Sequence, residues 1–154
     1  MPEQSAVHHT FAIERSFAVT PDRVFSAFSD PARKRLWFAG GGGHDVEAFE
    51  MDFRVGGKEL VRMRSKDGLM QGALFTNTGT CLDIVPDRRV VVASSMAMGD
   101  RRISVSLATF EFLPTETGTD LVFTHQGVFF GGSDGPERRE GGWQKLFERL
   151  SLHI

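Results

Sequence analysis

The chain has 154 residues, the length of one domain, and a chain of this size buries roughly 68–70% of its unfolded surface when it folds. Its 40% hydrophobic and 25% charged residues are ordinary for a globular protein and exclude a disordered or fibrous chain. A net charge of −2, with basic residues spread along the sequence, argues against nucleic acid as a partner.

Cysteine usage and the N-terminus indicate the compartment. Cys81 is the only cysteine, so no internal disulfide forms and a reducing, cytoplasmic location is expected. Residues 1–11 show no basic region followed by an apolar stretch, and no window approaches the roughly 18 apolar residues of a membrane span. We therefore expect residues 1–154 to form a single domain with no membrane contact.

The first third of the chain predicts a strand followed by two short helices. Apolar residues alternate over Phe11–Val19, which indicates a strand. Thr20 followed by Pro21 predicts the start of a helix, with the Thr20 hydroxyl accepting a backbone N–H. Asp30 and Pro31 repeat this signal and predict a second helix to about Phe38, with the basic triplet 33–35 on its solvated face. A flexible loop is expected at Gly40–Gly43.

The middle of the chain predicts an antiparallel meander. Turn residues between Asp45 and Phe130 delimit about six strands. They stand at Gly56-Gly57, Asp67-Gly68, Pro86-Asp87, Gly99-Asp100 and Thr117-Gly118. In the last strand Leu121, Phe123 and His125 share a face. Between Arg102 and Phe112 the apolar phase changes after Leu107, which predicts a β-bulge there.

The C-terminal segment predicts a long helix. Trp143, Leu146, Phe147 and Leu150 recur at helical spacing and form a stripe that needs a partner, and the sheet is the only large one. Asp134 and Glu137 are spaced as a capping box. Gly141-Gly142 inside the helix indicates either a close approach of the backbone to another element or a kink.

Seven stretches in the order of this strand, two helices, meander and final helix resemble the START-like, helix-grip (SRPBCC) superfamily, in particular its branch related to activators of the heat-shock-protein-90 ATPase. They are Val19–Phe25, Asp30-Pro31, Trp37-Phe38, Phe53–Gly57, Val85–Arg89, Gly118–His125 and Gly142–Leu150. The resemblance implies an α+β fold in which a curved antiparallel sheet of about six to seven strands wraps around the C-terminal helix. It does not imply one chemistry, because this superfamily includes lipid carriers, hormone receptors and cyclases.

The resemblance also implies a cavity between the concave sheet and the last helix, with Trp37 and Phe38 near its mouth. The chain carries 14 Phe, 2 Trp and no Tyr, so its rings can line an apolar interior without a hydroxyl that needs a partner. A tightly packed core is the alternative for the same residues. The expected ligand-binding residues are Trp37, Phe38, Phe53, Met63, Phe110, Phe123, His125, Trp143 and Phe147.

Other chemistries find little support in the sequence. Gly131-Gly-Ser133-Asp-Gly135 matches a nucleophile elbow, but that site needs a parallel sheet, an oxyanion loop and a later acid and histidine. The five histidines show no metal-ligand spacing, and Gly56-Gly57-Lys58 lacks the pattern of a phosphate loop. We expect neither metal nor cofactor.

His125 is the one ionisable residue that the pattern places on the inward face. It is the candidate acid or base of a cyclase or dehydratase, and the alternative is a structural histidine bonded to a neighbouring backbone group. Glu47, Asp52, Arg62 and Arg64 are candidates for a polar partner at one end of a pocket.

Three functions remain open from the sequence. The first is a binding module for a small hydrophobic or aromatic ligand, the second is a co-chaperone-like partner of a heat-shock ATPase in a stress response, and the third is an enzyme that uses His125. The oligomeric state is also open, because the two sheet edges suit either a monomer or a homodimer.

Overall fold

The structure is a computed structural model that describes residues 5–39 and 43–154. In these ranges the chain forms seven strands and three helices. Their bounds are β1 Val7–Phe17, α1 Pro21–Ser29, α2 Pro31–Phe38, β2 His44–Met51, β3 Lys58–Ser65, β4 Leu74–Val85, β5 Arg89–Met98, β6 Arg101–Pro114, β7 Thr119–Phe129 and α3 Pro136–Leu152. Of the expected glycine loop, residues 40–42 lie outside the described residues.

The described strands form one antiparallel sheet in the order β1-β7-β6-β5-β4-β3-β2. The six strands β2 to β7 follow one another as hairpins, and every predicted turn falls between two of them. β1, the first strand of the chain, forms the sheet edge opposite β2 and pairs with β7 along its full length. This confirms the predicted α+β architecture of a curved antiparallel sheet with two short helices after the first strand.

The first strand begins earlier than its apolar pattern indicates. β1 starts at Val7 rather than Phe11, because its backbone pairs with β7 from Val7 opposite Phe129 onward. His8, His9 and Thr10 are exposed there, so they show no apolar alternation. Backbone pairing at a sheet edge does not require buried side chains, and hydrophobic periodicity alone misses such residues.

Both predicted helix starts are correct, although one cap works differently. The Asp30 carboxylate accepts a hydrogen bond from the Ala32 N–H at 3.0 Å, as a helix cap does. Thr20 occupies the cap position of α1, but its hydroxyl accepts no backbone N–H. A hydrogen bond from the Thr20 side chain instead lowers the pKa of Asp22.

The bulge in β6 lies at Ile103 and not after Leu107. Ala97 pairs with Arg102 while Met96 pairs with Ser104, which leaves Ile103 as the extra residue. From Ser104 onward the even-numbered residues face inward, including the buried Ala108, Phe110 and Phe112. Val105 is apolar but exposed on the outer face. The apolar pattern therefore wrongly assigns the odd-numbered residues after Ile103 to the inner face.

The C-terminal helix α3 packs against α2 and β1, and its Trp143 and Phe147 contact the ring of Phe123 on β7. Phe147 and Leu150 are fully buried, as their spacing predicts. The proposed capping box is wrong, because Gly135 is the cap residue and has no side-chain cap bond. None of the helices in residues 5–39 and 43–154 is long and apolar enough to cross a membrane.

Asp134 has another partner, Arg139, at the start of α3. Arg139 donates from Nε and Nη2 to the two carboxylate oxygens of Asp134, each at 2.8 Å, and from Nη2 to the Ser104 hydroxyl at 2.8 Å. The guanidinium also lies 5.1 Å from the centre of the Phe129 ring. These contacts fasten the first turn of α3 to β6, a task that Arg suits because its fork binds a carboxylate through two hydrogen bonds.

Candidate functional site

The strand register places one set of side chains on the concave face of the sheet. Leu121, Phe123 and His125 of β7 point inward, as predicted, and each is at least 99% buried. The residues opposite them on β6 are Phe112, Phe110 and Ala108. The next inward row crosses four strands and has small side chains or none. It consists of Gly127 on β7, Ser106 on β6, Ser94 on β5 and Gly79 on β4. The concave face thus changes from bulky rings to glycine and serine between neighbouring rows of the sheet.

The bulky end is a closely packed group of rings, here called the aromatic layer. Its members are Phe28, Trp37, Phe110, Phe123, Trp143 and Phe147. Phe123 lies at its centre, with ring centroids 4.9 Å from Phe110, 4.4 Å from Trp143 and 5.2 Å from Phe147. These separations are typical of direct aromatic contact. The space under Trp143 and Phe147 is therefore filled by protein.

A small cleft remains where the aromatic layer meets the polar part of the concave face. Its volume is about 30 Å³. It is lined by Lys34, Phe38, Glu59, Asn77, Gly79, Val92, Ser94, Ala108, Phe110 and Trp143. A space of that size holds one or two water molecules.

An ion pair stands in the wall of the cleft. Lys34 donates from Nζ to Glu59 Oε1 at 2.6 Å, and both side chains are 8% exposed. The Lys34 ammonium also lies 4.7 Å from the centre of the Phe38 ring. The expectation that residues 33–35 form a solvated face is therefore wrong at Lys34. Lys34 points inward because it shares the buried face of α2 with Trp37 and Phe38. Its partner Glu59 is buried on the inner face of β3.

His125 lies deep in the concave face beside the row of small residues. Its ring stacks on Phe11 at a centroid distance of 4.7 Å and an interplanar angle of 10°. Its Nδ1 is buried and has no hydrogen-bond partner among the described residues. Burial, and secondarily the nearby Arg139 charge, lower the pKa of His125 to about 4. At neutral pH this imidazole is uncharged, so it does not act as an imidazolium acid there.

Trp143 forms one wall of the cleft. It is half-buried, and besides Phe123 it contacts the rings of Phe38 and Phe110 at centroid distances of 5.7 and 5.9 Å. Two exposed glycines, Gly141 and Gly142, precede it, and a Cβ on either one would meet nothing within 4 Å. The expectation of a close backbone approach is thus wrong, because nothing packs there, and α3 is continuous through both glycines. Glycine has a low helix propensity, so Gly141 and Gly142 lower the stability of α3 just before Trp143.

The predicted site residues do not all meet at this cleft. Phe38, Phe110 and Trp143 line it, while Phe123 and Phe147 lie behind them in the aromatic layer. Trp37 is fully buried rather than near a mouth, and its indole N–H donates to the Ala27 carbonyl at 2.8 Å. Phe53 packs against Phe25, with ring centroids 5.8 Å apart. Met63 lies on the inner face of β3 opposite Phe75, outside the cleft lining.

Sequence reasoning missed the polar half of the cleft. The candidates Glu47 and Arg64 pair with each other at the surface at 2.6 Å, and Asp52 pairs with Arg54 outside the cleft at 2.7 Å. The residues that do line it are Lys34, Glu59, Asn77 and Ser94. A signal was available for Glu59, because it stands in phase with the buried Val61 on β3. A charge at an inward position of a strand requires a buried partner.

Other chemical groups offer weaker sites. A shallow depression of about 320 Å³ at the start of α3 is larger than the cleft, but it lies at the surface beside the exposed His9, and its Asp134 is held by Arg139. Ser133 accepts a hydrogen bond from the Gly135 N–H at 2.8 Å, which is a turn contact. Burial raises the pKa of the Cys81 thiol, so it stays protonated at neutral pH. Among the described residues, no group of three or more His, Cys, Asp or Glu is arranged to hold a metal ion.

Comparison with known proteins places these features in a family. The sequence model of the family described as "Activator of Hsp90 ATPase homolog 1-like protein" matches residues 18–153. A solved structure from Rhizobium leguminosarum is 37% identical with a TM-score of 0.90, and the match covers 97% of this chain and 96% of that one. Another, from Rhizobium loti, is 41% identical with a TM-score of 0.86, covering 97% and 99%.

A more distant similarity extends the fold comparison. The solution structure of a protein from Aeromonas hydrophila that bears the family's name is 23% identical with a TM-score of 0.68, and it covers 95% of this chain and 92% of that one. At that identity the likeness concerns the fold alone. The search of curated proteins gave no match.

Proposed function

Because this chain belongs to the activator of Hsp90 ATPase homolog 1-like family, and so to the START-like superfamily, we propose that it binds a small apolar or aromatic molecule in the cleft beside Trp143. The observation that carries the proposal is a gap in an otherwise packed interior, bordered by the rings of Phe38, Phe110 and Trp143 on one side and by polar side chains on the other. Ligand sites combine apolar walls with a few convergent polar groups in this way.

The size of the cleft sets a condition on binding. Pockets that hold drug-sized ligands have volumes of roughly 300–1,000 Å³, whereas this cleft has about 30 Å³. A ring-sized ligand therefore enters only if Trp143 moves outward. The half-buried position of Trp143 and the unpacked Gly141 and Gly142 before it support that movement.

Ligand-observed NMR with a library of small aromatic hydrocarbons, phenols and amides tests the proposal. Ser94→Leu places a larger side chain in the cleft and removes the 3.1 Å hydrogen bond to Ser106. Ser95→Leu is its matched control, because it removes an equal 3.1 Å bond to Thr78 on the outer face of the same strand. We expect binding to the native chain and to Ser95→Leu, and at least tenfold weaker binding to Ser94→Leu. Equal affinities in all three proteins would contradict the cleft as the site.

A second candidate function is interaction with a heat-shock chaperone in a stress response. The observation in its favour is the filled aromatic layer, because a domain whose interior is closed offers partners its outer surface. The test is the ATPase rate of the heat-shock-protein-90 chaperone with and without the purified chain. Stimulation without any fragment binding would favour this function over the first. The single buried cysteine favours a reducing compartment for either activity.

An enzymatic role for His125 has less support than either. An imidazole with a pKa near 4 is neutral at physiological pH and is a weak base. Its ring is also 1% exposed and lies behind the cleft lining rather than in it.

A further inference from the structure

We infer that the head group accepted by this cleft is uncharged and both donates and accepts hydrogen bonds, attached to an aromatic body; this rests on the proposed ligand-binding function. The argument starts from the Lys34–Glu59 pair. Each side chain is more than nine-tenths buried, and the ammonium and carboxylate are 2.6 Å apart in the wall of the cleft. Their charges cancel where the ligand head would lie.

This cancellation disfavours a charged head group. A carboxylate that approaches the Lys34 ammonium also approaches Glu59, which carries the same charge as the ligand. An ammonium group meets the same conflict with Lys34. In a buried site a charge without its own compensating partner is strongly unfavourable, so both kinds of ion are rejected.

The same groups disfavour a head group with no polarity at all. An ammonium carries three N–H donors, and the contact with Glu59 uses one of them. The carboxylate has further acceptor capacity, and the Asn77 carboxamide and Ser94 hydroxyl line the same space. A purely apolar ligand would cover these groups and offer them no hydrogen-bond partner, which is costly for a buried polar group.

The rings beside the pair define the other end of the ligand. Phe38, Phe110 and Trp143 border the cleft and belong to a continuous set of ring contacts. A flat ring that replaces part of the Trp143 contact keeps the stacking surface of Phe110 in use. The ligand class is thus a neutral aromatic amide, or an aromatic alcohol of similar size.

Four probes of nearly equal shape test this inference: benzamide, benzoate, benzylamine and toluene. Each is titrated at pH 7 into the native, isotope-labelled chain, and amide shifts are followed at Lys34, Asn77 and Ser94. We expect benzamide to bind at least tenfold more tightly than benzoate and benzylamine, with toluene weaker than benzamide.

Two substitutions shift the preference in opposite directions. Glu59→Gln leaves the Lys34 charge without a partner, so benzoate becomes the preferred probe. Lys34→Gln leaves Glu59 alone, so benzylamine becomes the preferred probe. Glu47→Gln is the matched control, because it breaks an ion pair of the same 2.6 Å length at the surface and leaves the ranking unchanged. If either cleft variant does not fold, the ranking in the native chain and in Glu47→Gln decides the question.

The outcomes separate this inference from the proposal beneath it. If none of the four probes binds, the ligand-binding function fails and the inference fails with it. If benzoate or benzylamine binds the native chain as tightly as benzamide, the cleft binds ligands and only the neutral head group is wrong. Toluene equal to benzamide would likewise overturn the inference alone.

Discussion

The two halves of the concave face are built from the same antiparallel strands, yet one is packed with apolar rings and the other contains charged and polar side chains. The aromatic layer around Phe123 excludes water with ring contacts and contains no ionised group. The cleft beside it is lined by a buried ion pair and by the half-buried carboxamide of Asn77 and hydroxyl of Ser94. The ring contacts stabilise the fold. Burial of the ion pair carries a desolvation cost, and a local cost of this kind is typical of a functional site.

The largest expected effect comes from emptying the aromatic layer at Phe147. This side chain is fully buried and contacts Phe123 and Trp143, so Phe147→Ala leaves a cavity and lowers the free energy of unfolding by about 3–5 kcal/mol. Urea unfolding measures the change. Leu152→Ala on the same helix is the control, because Leu152 is 80% exposed and its loss costs less than about 0.5 kcal/mol. Similar effects at the two positions would contradict the packed layer.

Breaking the ion pair is expected to have the next largest effect. Lys34→Met removes one member and leaves Glu59 buried without a partner, which lowers the free energy of unfolding by about 3 kcal/mol. In the double variant Lys34→Met/Glu59→Leu both charges are gone, and most of that stability returns. A double-mutant cycle measured by chemical unfolding gives the coupling. Additive losses would mean that the two side chains do not depend on each other.

Acid should weaken the fold through His125. Its pKa is about 4 in the folded chain, below the ordinary 6.5, so between these values the unfolded chain binds a proton that the folded chain does not. The free energy of unfolding is therefore unaffected above pH 6.5 and falls by at most about 3 kcal/mol as the pH drops to 4. The charged groups that act on His125 are Arg139, Asp134 and His9.

His125→Phe isolates this contribution, because Phe keeps a ring against Phe11 and has no proton to take up. The measurement is the free energy of unfolding of both proteins at several pH values from 7 to 4. The difference between them should change over that range, with the variant less sensitive to acid. A constant difference would show that His125 does not titrate differently on folding.

The smallest effect is a gain in stability at the glycine pair. Alanine at Gly141 and Gly142 meets no neighbour and improves the helix, so each substitution raises the free energy of unfolding by about 0.5–1 kcal/mol. Thermal unfolding measures this increase. If Trp143 has to move for ligand entry, the stabilised variant also binds fragments more slowly. A gain in stability with unchanged binding kinetics would argue that Trp143 does not limit entry.

The strand order and helix positions were predictable because turns and caps are local signals. Pro21, Asp30 and Pro31 fix the helix starts, and turn residues mark the end of every strand in the meander. The helix-grip arrangement itself came from a resemblance to a known superfamily. Caps that depend on side-chain orientation, as at Thr20 and Asp134, were less predictable, because a hydroxyl or carboxylate chooses among several nearby donors and acceptors.

The candidate site was predictable only on its apolar side. Helical spacing predicted that Trp143 and Phe147 face the sheet, and the resemblance placed them on the same side as Phe123, whose ring both contact. The pairing of Lys34 with Glu59 joins a helix to a strand through tertiary packing, and no local pattern reports such a distance. Whether a ring fills a space or borders one is likewise decided by packing of the whole interior, as the buried Trp37 illustrates.

Side-chain contacts hold α3 near both of its ends. Arg139 fastens the first turn to β6, and near the other end Arg149 donates from Nε to the Trp37 carbonyl at 3.2 Å. One end is thus held to the sheet and the other to α2, so a rigid-body movement of the helix away from the sheet would break both contacts. An outward movement of Trp143 that keeps both contacts involves the segment between them, which contains Gly141 and Gly142. The amide hydrogens of that segment, rather than those of the helix ends, are where solvent exchange would report it.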